Sequence, residues 1–244
     1  MSEDCATALS PEMALVVAAS RARTQDLVMA GLLHDLNGPL NNLGLTLNLL
    51  ERALAASLDP SAGALATRLR RYLDTLAHES ARLGAWSHAA ADVMHPADPA
   101  DATAPLASVI DSVRASLRHH ATLSEVRLEV VHQAHDDVCV HGAPVVRAAM
   151  LAFLTAAIAL AGPGGFVEVT LAGSGGNARI AIVLPGAHIA EDVMRAVQNM
   201  ALVSASSIAG DIVAGRALVE SLHGTASVGH DTSAARIDVT LRAS

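Results

Sequence analysis

The sequence predicts an α+β chain: an N-terminal helical hairpin that pairs with a second copy into a four-helix-bundle dimer, followed by an α/β sandwich. Three observations carry this reading. Met29, Leu33, Leu36, Leu40, Leu43, Leu47, Leu50 and Leu54 recur at alternating spacings of four and three, the seam of a coiled coil or helical bundle. HPADPADATAP, at 95–105, is rich in proline, alanine and aspartate, has no periodicity and reads as a linker. Beyond it, strand-like and helix-like segments follow one another in the manner of a sheet covered by helices. The domain boundaries are therefore placed at 1–97 for the hairpin, 98–104 for the linker and 105–244 for the α/β domain.

The first helix starts at Ser10-Pro11-Glu12, where a hydroxyl can cap free amides, a proline fits the first turn and an acid meets the positive dipole end. It should run to about Ala56. Asp59-Pro60-Ser61 breaks it, and Leu65, Leu69, Tyr72, Leu76, Leu83, Trp86, Ala90 and Val93 line one side of a second helix. Two helices of this length cannot enclose a core alone, so the seam calls for a second copy. In the second domain, helices are expected at Pro105–Leu123, Pro144–Leu160, Ala190–Met200 and Ser207–Leu222. Strands are expected at Val126–Val131, Val138–Val140, Phe166–Leu171, Ala178–Leu184, Thr225–Val228 and Ala235–Leu241.

Composition narrows the function classes. A chain of 244 residues with 52% hydrophobic content can bury one or two sizeable cores. The formal net charge is -8 and the 16 cationic residues, all arginine, are scattered, so no basic face exists to track a nucleic acid backbone. Cys5 and Cys139 give no disulfide framework, which fits a reducing compartment. The first ten residues lack the basic and apolar regions of a signal peptide. The longest uncharged apolar run, Ala148–Gly162, is shorter than the roughly 20 residues that span a bilayer. A cytoplasmic chain with neither nucleic acid nor membrane as partner is expected.

The chemistry points to HDLNGPL, from His34 to Leu40. With the leucine seam turned inward, His34 falls on the outer side of the helix. Asn37, Gly38, Asn41, Asn42 and Leu45 are its neighbours one or two turns on. An outward imidazole keeps a nitrogen lone pair for an incoming phosphoryl group. Asp35 is placed to hydrogen-bond the other ring nitrogen or take its proton. Pro39 removes a helical hydrogen bond and should bend the helix one turn later. Leu45 and Leu49, outside the seam, would form an apolar docking patch unless a wide bundle core absorbs them.

HDLNGPLNNLGLTLNLL resembles the phosphoacceptor box of bacterial sensor histidine kinases, in which a histidine, an acid and a proline stand at this spacing on the first helix of a dimerising hairpin. The resemblance implies that His34 is phosphorylated, that Asp35 assists transfer and that Pro39 permits bending. One position departs from the pattern. Kinases that also dephosphorylate their response regulators usually carry threonine or asparagine four residues after the histidine, and here Gly38 stands there.

The element order from Pro105 onward is similar to the ATP-binding domain of the same kinases, but its motifs are eroded. Ala156, in FLTAAIALAGPGG, stands where that family has its magnesium-binding asparagine. Leu184 stands at the adenine-binding aspartate, only Gly186 remains of the next glycines, and Gly210 and Gly215 make no tight pair. Phosphate cradles need consecutive backbone amides freed by glycine, and phosphoryl transfer from ATP depends on metal ions and positioned donors. The chain thus resembles histidine phosphotransferases of the ChpT type. That resemblance implies a homodimer in which His34 accepts and donates a phosphoryl group with response-regulator receiver domains. It implies no cofactor or metal of its own, the magnesium being brought by the receiver, and no ATP-dependent kinase activity. Two alternatives remain open: a working sensor kinase with a divergent ATP site, and a noncatalytic regulator that binds a kinase or receiver.

The other candidates are bland. His119, His120, His132, His135 and Asp136 lack the spacing of a structural zinc motif and are expected at solvated ends. His223-Gly224 matches a helix-to-strand corner. Ser204, Ser206 and Ser207 have no paired base and read as a lid remnant.

Overall fold

The computed structural model describes residues 9–55, 62–94, 102–132, 138–174, 176–199, 207–230 and 233–243. Helix α1 (Pro11–Ala55) is 45 residues long. Its start follows from the sequence: Ser10 Oγ accepts from the Met13 amide at 3.2 Å, and the Ala14 amide donates to the Ser10 carbonyl at 2.8 Å. Helix α2 (Ala62–Met94) completes the hairpin. Leu69, Tyr72, Leu76 and Leu83 are half-buried along one of its sides.

Two compact units emerge, and their division differs from the boundary expected at residue 97. One unit spans Met29–His95; the other joins α1 as far as Val28 to everything from Pro96 onward. The reason is a buried stripe on the first part of α1: Val16, Val17, Ser20, Thr24 and Val28 lose nearly all their exposure. Spacings of four put these residues on one helix face, and that face belongs to the α/β unit.

The α/β unit continues with β1 (Ala104–Pro105), α3 (Leu106–Leu123), β2 (Arg127–His132), β3 (Cys139–Val140), α4 (Ala143–Ala161), β4 (Phe166–Ser174), β5 (Asn177–Pro185), α5 (Glu191–Gln198), α6 (Ile208–Ser221), β6 (Thr225–His230) and β7 (Ala234–Arg242). Five strands form one sheet in the order β2-β4-β5-β7-β6, with β2 parallel to β4 and the remaining pairs antiparallel. The expected linker hides a pairing: β1 binds β3 through Ala104 opposite Val140 and Pro105 opposite Cys139. Two residues carry too little pattern to announce a strand.

Strand alternation builds the core. Ala178, Ile180, Ile182 and Leu184 of β5 are buried and sit opposite Leu241, Val239, Ile237 and Ala235 of β7, also buried. Against this face pack the helices, with Phe153, Leu154 and Ile158 of α4 and Ile212 of α6 fully enclosed. Each such side chain is worth about 1.5–3 kcal/mol relative to exposure. Helix α4 is 19 residues long and apolar enough to cross a membrane by length and composition alone. Most of it is core. Gly215 of α6 exists for this packing, since a Cβ there would lie 2.8 Å from the Phe153 ring.

Candidate functional site

In the hairpin unit, α1 turns a mixed face toward α2. Pro39 and Thr46 are buried on it. Asn42, between them, donates its amide to Glu79 Oε1 at 2.9 Å, and Arg82 donates to the other carboxylate oxygen at 2.8 Å. Glu79 is buried, so its carboxylate is matched by one amide and one guanidinium rather than by water. Asn42, expected beside the imidazole as a partner-binding group, is exposed and uses its amide to tie the two helices together.

His34 lies on the other side of α1. Its side chain is 67% exposed, that of Asp35 is 43% exposed, and Nδ1 stands 3.5 Å from Asp35 Oδ1. An acid beside Nδ1 favours the tautomer that carries the proton there. That tautomer leaves the lone pair on Nε2. Asn37, Gly38 and Asn41 are exposed on the following turns, and Leu45 and Leu49 below them are exposed as well. A Cβ at Gly38 would meet nothing within 4 Å, so the glycine leaves a smooth gap one turn from the imidazole. The arrangement offers a nucleophilic nitrogen, an adjacent acid and an open apolar margin.

The positions that would bind nucleotide in a kinase-like domain are built differently. Ala156 and Leu184 are fully buried, as is Ile189, which follows the turn after β5. Gly186 supplies the positive φ of 75° that this turn needs. Leu184 therefore spends its side chain on the sheet core, where a carboxylate would be expensive. At the start of α6, Ser207 caps the helix by accepting from the Gly210 amide at 3.0 Å. Ser207, read from sequence as part of a lid, is a helix cap; Ser204 and Ser206 lie outside the described residues.

No protein-family model matches the sequence, and no curated protein matches it. Solved structures do. The catalytic domain of histidine kinase ThkA aligns with 58% of this chain and 95% of its own, at a TM-score of 0.51 and 11% identity. The α/β unit has the fold of a histidine-kinase catalytic domain. Two further structures align over nearly the whole chain at lower scores. A histidine kinase from Burkholderia phymatum STM815 covers 96% of this chain and 99% of its own at TM-score 0.48 and 16% identity. A bacterial phosphotransferase covers 96% and 98% at TM-score 0.47 and 12% identity. The whole is a helical hairpin followed by an α/β sandwich of the histidine-kinase kind.

The remaining histidines scatter. His132 Nε2 lies 3.9 Å from Asp111 on α3, while His135 and Asp136 fall outside the described residues. Among the described residues no three metal-ligating side chains cluster. His120 is held below the usual histidine pKa, first by burial and then by the neighbouring His119 charge. His223 takes a φ of 57° at the corner before β6, and a Cβ on Gly224 would lie 2.7 Å from the Thr240 carbonyl oxygen. This pair makes a corner. Sequence reasoning missed two buried acids, Glu79 and Asp211. A single acid within an amphipathic helix carries no pattern that distinguishes a buried carboxylate from a solvated one.

Proposed function

We propose that the chain is a histidine-containing phosphotransferase of a bacterial two-component phosphorelay, working in the cytoplasm as a homodimer. The observation that carries this is the exposed His34 imidazole with Asp35 at its Nδ1. The Nε2 lone pair of His34 forms a bond to the phosphorus of a receiver's aspartyl phosphate. The phosphorus–oxygen bond breaks as this forms, and its electron pair leaves with the receiver carboxylate. Asp35 stabilises the positive charge that the phosphorylated imidazole carries at Nδ1. The reverse of the same step delivers the phosphoryl group to a second receiver. Magnesium remains with the receiver, and this chain contributes position and charge.

Asn37, Gly38, Asn41 and Leu45 then form the ground on which the receiver lands, with Asn42 holding that ground in shape through Glu79. Burial of Ala156 and Leu184 favours transfer between receivers over phosphorylation from ATP. Loss of a metal ligand and an adenine anchor together removes the groups on which such catalysis rests. Incubation with phosphorylated receiver domains should label the protein, and His34→Ala should erase the label. Label persisting in the variant would overturn the assignment. The kinase-like fold of the α/β unit is what favours the second reading, a working kinase. That reading requires micromolar ATP binding by calorimetry and labelling from ATP with magnesium.

A further inference from the structure

The phosphorelay reading makes no use of Asp211, the one buried acid of the α/β unit among the described residues. It sits in the first turn of α6, only 3% exposed. Its carboxylate accepts from Ser20 Oγ at 2.7 Å and pairs with the Arg23 guanidinium. Both partners come from α1, nearly two hundred residues away in sequence. Ser20 is itself 1% exposed, and Val16, Val17 and Thr24 are buried around the pair. Arg23 is half-buried, and partial burial pulls its pKa below the usual value. An ion pair with one buried end is weak as a source of stability and effective as a device that fixes register, because any slip strands the buried Asp211 carboxylate.

We propose that Asp211, Ser20 and Arg23 form a latch that docks the first part of α1 onto the opening turn of α6 in a single register. The helix end in question is the one at which the kinase-like fold would be expected to cradle phosphates. Here its polar complement is supplied from within the chain. The docking does not rest on the phosphorelay reading.

Two measurements on the full-length protein test the latch. Hydrogen exchange should show the amides of residues 11–28 opening about ten-fold or more faster in Asp211→Asn, while amides of β5 and β7 keep their protection. Unchanged exchange at 11–28 would overturn the latch, whether or not the protein transfers phosphate. The paired variant Arg23→Met with Asp211→Leu replaces the charges by apolar groups of similar length and should recover the thermal midpoint. A thermal midpoint no higher in the paired variant than in Asp211→Asn would show that the pair is not what holds the helix down and would overturn the latch.

Discussion

The two units bury their leucines and isoleucines in opposite ways. In the α/β unit, Ile180, Ile182, Leu184 and Ile212 are each at most 1% exposed. In the hairpin, Leu33, Leu40 and Leu47 remain 51%, 48% and 50% exposed, and Leu73 of α2 is 57% exposed. The α/β unit is finished by its own chain. The hairpin is not: its leucines sit seven residues apart along α1, a stripe that a second copy would cover. The comparison teaches that the α/β unit encloses its own core, while the unit that carries His34 leaves a stripe of leucines exposed.

The largest effects should come from breaking the finished core. Leu184→Asp introduces the carboxylate that the kinase resemblance would place there, but it forces that group into a closed sheet at a cost of several kcal/mol. Loss of the cooperative thermal transition is expected, and a folded variant that binds ATP would contradict our reading of this position. Next comes the unfinished surface. Leu40→Arg should leave the α/β unit folded, as judged by its thermal midpoint, and weaken self-association by about 2–4 kcal/mol if the stripe is an interface hot spot. Sedimentation across a concentration series measures this.

Two helical glycines sharpen the same contrast. Gly215→Ala puts a methyl against the Phe153 ring and should destabilise by about 1–3 kcal/mol. Gly38→Ala meets open space and should stabilise the hairpin by about 0.5–1 kcal/mol. Denaturant midpoints for both would separate a packing glycine from one that leaves room for a visitor. The smallest effect concerns pH. His120 has a lowered pKa in the folded protein, so as pH falls through about 6.5 the unfolded chain takes up its proton first and gains stability. Stability should be full above neutrality and decline toward acid, and His120→Gln should flatten that limb in a thermal-melt series.

Much of this was legible in the sequence because it rests on local rules. Ser10 capped its helix, the apolar alternation of β5 and β7 paired in register, and two helices, one ending at Ala55 and the next starting at Ala62, stand where two were expected; Pro60 itself lies outside the described residues. Where the sequence reading departs from the structure, the deciding partner is remote. The stripe Val16, Val17, Ser20, Thr24 and Val28 marks a buried helix face without saying what buries it, and the answer, in part, is Asp211 on α6. Glu79 and Asn42 look like surface groups until the two helices meet. Gly215 resembles a phosphate-loop remnant until Phe153 is seen against it. At the site, the outward register of His34 followed from the leucine spacing, and the inward use of Asn42 did not, because a polar side chain on a helix flank can serve either side.

The most direct test is to present the protein with a phosphorylated receiver domain, without ATP, and to map the transferred group by mass spectrometry under conditions that preserve phosphohistidine. The account predicts a single phosphoryl group on His34 that a second, unphosphorylated receiver then removes. Phosphate found on another residue, or no transfer while ATP alone labels His34, would contradict it.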